Sequence, residues 1–144
     1  MPVHNSDIAE IFNEVADLLE ILGENPFRVR AYRNAARTVG DLSQSVVSMV
    51  EQTKDLTELP GIGKDLAGKI EEIVQKGTLS QLQDLEDRIP PQLRRLMKIP
   101  GLGPKRVKAL YDKLGVTDLE DLKKAASLGN NDAQSYLNKK GIQW

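Results

Sequence analysis

One six-residue phrase occurs twice in this chain. Leu59-Pro60-Gly61-Ile62-Gly63-Lys64 returns forty residues later as Ile99-Pro100-Gly101-Leu102-Gly103-Pro104. The register holds beyond the phrase: Ile70 falls on Leu110, and each copy runs on to a glycine (Gly77 or Gly115), a threonine and a leucine-containing stretch. A repeat of this kind implies two copies of one supersecondary unit. Proline stops the segment before it, and the glycines admit tight or left-handed backbone angles. Ile62 and Leu102 then become inward plugs of two helix-to-helix turns.

The remaining pattern is helical nearly throughout. Ile8, Ile11, Phe12, Val15, Leu18, Leu19 and Leu22 recur at helical spacing after a cap at Asn5 or Ser6, with Gly23 closing the run. Asn25 and Pro26 open a second helix through Arg37, ended by Gly40. A third spans about 43–52, a short one precedes Pro60, and a longer one runs from Lys64 to Lys76 until Gly77. Thr78-x-x-Gln81 and Thr117-x-x-Glu120 match the capping box. Alternating β-branched and aromatic residues are missing, so the expected class is all-α, a compact helical array. Its expected division is 1–80 and 81–144, one turn motif in each.

Composition narrows the chemistry. Cysteine is absent and His4 is the single histidine, placed here in a loose leader; thiolate metal sites and histidine-based triads lose their residues. No apolar run approaches the roughly 20 residues of a membrane span, and the expected setting is cytoplasmic, nucleoid-associated if bacterial. The formal charge of −1 conceals a division: residues 59–115 hold 11 Lys/Arg against 7 Asp/Glu, and the rest 9 against 14. Charge of that sign around the repeated turns favours an anionic guest.

Physical chemistry agrees. A helix that starts on glycine presents unpaired N–H groups and the positive end of its dipole, and bare glycines let another backbone come close. The expected phosphate-binding set is Gly61, Ile62, Gly63 and Lys64 at the first turn, and Gly101, Leu102, Gly103, Lys105, Arg106 and Lys108 at the second. Such contacts position a polynucleotide without reading its sequence. Arg94, Arg95 and Lys98 could approach it beside the second turn or be merely solvated.

These residues resemble the tandem helix-hairpin-helix motifs of the X-family DNA polymerases. Pro26-Phe27-Arg28-Val29-Arg30-Ala31-Tyr32-Arg33-Asn34-Ala35-Ala36 is similar to the family's helix ahead of the first hairpin, and Gly115 to Leu122 to the stretch after the second. The likeness runs from residue 6 to about 126. It implies a small lyase-like domain followed by the second hairpin subdomain, without the polymerase palm. The last twenty or so residues do not continue the pattern, and the expectation is a stand-alone protein. Trp144 is either a partner-binding anchor or packed on the last helix.

The resemblance also implies an activity. In some relatives a lysine amine attacks the aldehyde of a sugar-phosphate remnant, and β-elimination follows from the Schiff base. Lys69 matches that nucleophile, and Arg28, Tyr32 and Arg33 match positions supporting the site and a 5′-phosphate. This chain departs at Asp65 and Gln81, where lyase-active relatives carry basic residues, which thins the cationic field. A monovalent cation, Na+ or K+, is implied at the carbonyls of Thr57, Leu59 and Ile62, and of Met97, Ile99 and Leu102. Sequence-non-specific binding of gapped, nicked or single-strand-containing DNA in repair is the leading expectation, beside a separate repair polymerase, nuclease or ligase. An abasic-site or 5′-deoxyribose-phosphate lyase and a protein-interaction module remain the alternatives.

Overall fold

The computed structural model describes residues 3–99 and 102–139, so Pro100, Gly101 and Trp144 lie outside the described residues. Nine α-helices and one 3-10 turn appear among the described residues, and no strand. The long pair α1 (Asn5–Ile21) and α2 (Pro26–Asp41) is followed by α3 (Val46–Glu51), the 3-10 turn Leu56–Glu58 and α4 (Lys64–Lys76). Then come α5 (Ser80–Asp87), α6 (Pro91–Met97), α7 (Pro104–Leu114), α8 (Leu119–Ser127) and α9 (Asn131–Lys139). The all-α expectation holds.

The apolar stripe of α1 explains the arrangement. Ile8, Phe12, Val15 and Leu19 are completely buried, and the helix packs on α2, α5 and α7. It therefore touches both halves of the chain. At its end Gly23 has φ +72°, and a Cβ there would meet the Lys108 side chain of α7 at 3.4 Å. Glu24 pairs with Arg88 at 3.9 Å. Phe12 meets Tyr32 of α2 edge-on, with ring centroids 5.9 Å apart. Tyr32, buried, donates its hydroxyl hydrogen to Gln81 Oε1 at 2.9 Å, so α1, α2 and α5 are linked through one aromatic pair and one hydrogen bond.

Several helix ends differ from the sequence-based expectations. The cap of α1 is His4, whose N–H donates to the Asp7 carboxylate at 2.9 Å, so His4 is no loose leader. Asn5, expected as a cap, instead bonds the Gln44 carbonyl and the Val46 N–H across the chain. Gly40 lies inside α2, which runs one residue further. The third helix begins at Val46, with Ser45 as its cap. Neither threonine box forms as expected. Ahead of α5 the Glu72 carboxylate accepts from both N–H and hydroxyl of Ser80, which holds its carboxyl below the usual carboxylate range. At α8 the cap is Asp118, and Thr117 donates to Asp121. In both cases a carboxylate, the stronger acceptor for backbone N–H, wins over a hydroxyl.

The outer face of α1 is acidic and lines a cleft opposite Arg94, Arg95 and Lys98 of the α6 segment. Glu14 in that cleft has its carboxyl raised above the usual range, by burial first, then by Glu10 and Glu86, against the pull of Lys98, and last by Asp17. A raised carboxyl contributes stability that is complete below its unfolded-state value and lost as pH rises through the folded one. Glu14→Gln, which imitates the protonated acid, is therefore expected to raise the melting temperature at pH 7. The gain should vanish as pH falls toward 4. A loss at pH 7 would contradict the charge crowding.

Candidate nucleic-acid interface

The two repeated turns share one hydrogen bond among the described residues. Ile62 N–H donates to the Leu59 carbonyl at 3.1 Å and Leu102 N–H to the Ile99 carbonyl at 3.0 Å, closing equivalent turns. Ile62 and Leu102 are plugs, 3% and 2% exposed. Burying each apolar side chain contributes about 1.5–3 kcal/mol, enough to fix how each turn faces outward. Gly61 adopts φ +76°, a left-handed angle that other residues reach only with strain.

Helices of this chain start in more than one way. α2, α3, α8 and α9 begin under their own side chains, with Asn25, Ser45, Asp118 and Asn130 accepting from N–H groups of the first turn. α5 and α6 lack a bond from their cap residues, α5 having its Ser80 N–H taken by Glu72 and α6 starting on Pro91 after Pro90. α4 and α7 begin on Gly63 and Gly103, also with no side-chain cap. The first helical bonds are Ala67 N–H to the Gly63 carbonyl, 2.9 Å, and Val107 N–H to the Gly103 carbonyl, 3.1 Å. The N–H groups of Lys64, Asp65 and Leu66 precede the first bond. That of Lys105 precedes the second, beside Pro104, which has none. A Cβ built at Gly61, Gly63 or Gly103 meets nothing within 4 Å. Space is therefore open at these three glycines, and uncapped helix starts of this kind are where oxyanions bind.

The charged residues expected here separate. Lys64 and Lys105 are exposed and make no ion pair among the described residues. Asp65 could have closed the first corner, but its carboxylate accepts from Lys69 Nζ at 2.7 Å, one turn along α4. That same bond engages the amine that the lyase alternative requires. Arg106 places its guanidinium over the Tyr136 ring, 5.0 Å from the centroid. Lys108 lies against Gly23 and bonds Asp112, so the structure directs it along its own helix. Gly101 falls outside the described residues.

The helix ahead of the first hairpin divides too. Arg28 is exposed without an ion pair among the described residues, Tyr32 is core, and Arg33 is held by Asp17 at 2.7 Å and Glu20 at 3.4 Å. Phe27 escaped the sequence reading as a site residue. It is 74% exposed, with the Arg30 guanidinium 5.7 Å from its ring centroid. A large apolar residue on the outer side of an amphipathic helix was the available signal.

Two open glycine corners between paired helices, each plugged by one apolar residue, define a tandem helix-hairpin-helix protein. Residues 3–79 match the helix-hairpin-helix domain family and residues 93–142 the SAM-like helix-hairpin-helix tandem. The chain belongs to the helix-hairpin-helix domain family. It is 38% identical over 123 residues to the DNA polymerase/3'-5' exonuclease PolX of Bacillus subtilis, covering 85% of this chain and 21% of that protein. It is 32% identical over 144 residues to DNA polymerase lambda of Arabidopsis thaliana, covering 99% of this chain and 25% of the relative. Against DNA polymerase lambda of Rattus norvegicus it is 29% identical over 125 residues, 87% and 21% of the two. The expected likeness to X-family polymerases is thus borne out, and the chain spans a fifth to a quarter of the length of these relatives. No helix among the described residues is long and apolar enough to cross a membrane.

Proposed function

We propose that this chain binds DNA through its phosphate backbone, without reading base sequence, and that it favours gapped, nicked or single-strand-containing DNA in a repair setting. The observation that carries the reading is the pair of helix starts left bare on glycine at two copies of one repeated turn, each with an exposed lysine beside it. Two amide clusters with a lysine beside each suit phosphate oxygens and have no means of telling one base from another. Phe27 supports the preference for single-strand character, since an exposed ring flanked by arginines offers a stacking face for an unpaired base. The relatives it resembles, DNA polymerases, agree with a polynucleotide guest.

Na+ or K+ fits the same corners. The Leu59 and Ile99 carbonyls each accept one turn N–H and keep a second lone pair, so Thr57, Leu59 and Ile62, and Met97, Ile99 and Leu102, would hold such an ion and offset phosphate charge.

Titration of labelled gapped, duplex and single-stranded DNA at two salt concentrations tests the proposal. Affinity is expected to fall steeply with salt, with gapped DNA bound tightest. Binding undetectable at low salt would return the chain to the protein-interaction reading.

A further inference from the structure

The outer face of α2 takes no part in the two glycine corners. Arg30, Asn34 and Arg37, at i, i+4 and i+7, share one side of the helix and are all exposed, while Val29, Tyr32, Ala35, Ala36 and Val39 are buried on the other. Residues 26–41 contain four arginines and a single acid, Asp41, at the end. Arg33 is neutralised by α1, whereas Arg30 and Arg37 make no ion pair among the described residues. A charged helix face is most often only solvated. In this chain, however, α4 and α7 carry opposite charges paired at i,i+4 on their exposed sides, Asp65 with Lys69 and Lys108 with Asp112. The α2 face carries cations and an amide with no acid among them.

A second observation places that face. Thr38 Oγ1 donates to the Pro60 carbonyl at 2.9 Å, tying the last turns of α2 to the first glycine corner. Arg37 is the residue before it. From Arg30 to Arg37 the helix rises about 10 Å, a length over which one DNA strand presents more than one phosphate.

We infer that this face of α2 is a second backbone-contact surface, along which the strand anchored at Gly61 and Gly63 continues. Arg30 and Arg37 each take a phosphate, and Asn34 donates between them. Thr38 is a positioning residue that holds the Pro60 corner against the helix and so aligns the two surfaces. The inference rests on the DNA-binding reading and extends it from two points to a track.

The experiment titrates the full chain and its variants with labelled gapped DNA over a range of salt. Arg30→Gln with Arg37→Gln is expected to weaken binding about tenfold at low salt and to lessen the salt slope by about two, one per lost phosphate contact. Lys123→Gln with Lys124→Gln, the same charge change on α8, should leave the slope as in the parent chain. Thr38→Val is expected to weaken binding about threefold at unchanged slope and to lower the melting temperature by a few degrees for the lost intramolecular bond, and Thr38→Ser to restore both. If the arginine pair keeps the parent slope while Gly63→Asp weakens binding about tenfold or more, the track is overturned and the corner reading stands. If Thr38→Val binds like the parent chain, the positioning role falls. If the parent chain itself shows no salt-dependent binding, both readings fall together.

Discussion

Gly63→Asp combined with Gly103→Asp is expected to leave the melting temperature unchanged or a few degrees higher, and to weaken DNA binding by at least about a hundredfold. The opposite signs have one cause. Gly63 has φ −87° and ψ −174°, and Gly103 φ −44° and ψ 176°, extended angles open to any residue, and a Cβ at either meets nothing within 4 Å. Aspartate at a helix start accepts from N–H groups of the first turn, as Asp118 already does toward Asp121 N–H at 2.8 Å. Exchanging glycine for such a cap stabilises a helix by a few tenths of a kcal/mol, so two caps lift the melting temperature by about 2–4 °C. The new carboxylates would then occupy the donors a phosphate needs and repel it besides. Hydrogen bonds to charged groups contribute about 1.5–3 kcal/mol each, so losing one per corner removes about 3 kcal/mol or more, beyond a hundredfold in affinity. Thermal melts and DNA titrations on one preparation check both halves. Loss of stability together with loss of binding would mean that the corners serve packing.

Phe12→Ala should do the reverse. Phe12 is fully buried and is the largest side chain so placed among the described residues. Truncating a core phenylalanine costs about 3–5 kcal/mol, because the transfer loss is compounded by the cavity left behind. Against a total stability of about 5–15 kcal/mol, the melting temperature should fall by about 10 °C or more. Tyr32 would lose its edge contact, and with it the support for its bond to Gln81. Well below the melting point, DNA affinity should be unchanged, since Phe12 is enclosed in the core and offers no surface to a ligand. A fall of less than about 3 °C would show that the Phe12 ring is not packed in the core against Tyr32.

The corners were legible because their residues act through the backbone. Proline and glycine dictate chain direction and φ wherever they stand, so the repeat announced two turns, their plugs and their open amides before any packing was known. Charged residues gave a weaker signal. Lys105, Arg106 and Lys108 look equivalent in the sequence, but successive helical residues are rotated by about 100°. Lys105 therefore stays in solvent, Arg106 reaches Tyr136 and Lys108 turns to Gly23 and Asp112. The helix caps failed for a related reason. Thr78 and Thr117 match a local pattern, while the acceptors that prevail are Glu72, from the preceding helix, and Asp118, one residue on. Tyr32 and Arg33 were read as site residues through resemblance; α1 claims both, one by its core and one by its acidic face. Competition of that kind depends on tertiary neighbours, which a single sequence does not display.

The most direct measurement tracks individual backbone amides as gapped DNA is added to isotopically labelled protein. Shifts are expected to be largest for the N–H groups of Gly63, Lys64, Asp65 and Leu66 and of Gly103 and Lys105, to shrink with added salt, and to stay small across α8 and α9. Unmoved corner amides, with the large shifts falling on those last two helices, would contradict the idea that bare helix starts hold the phosphates.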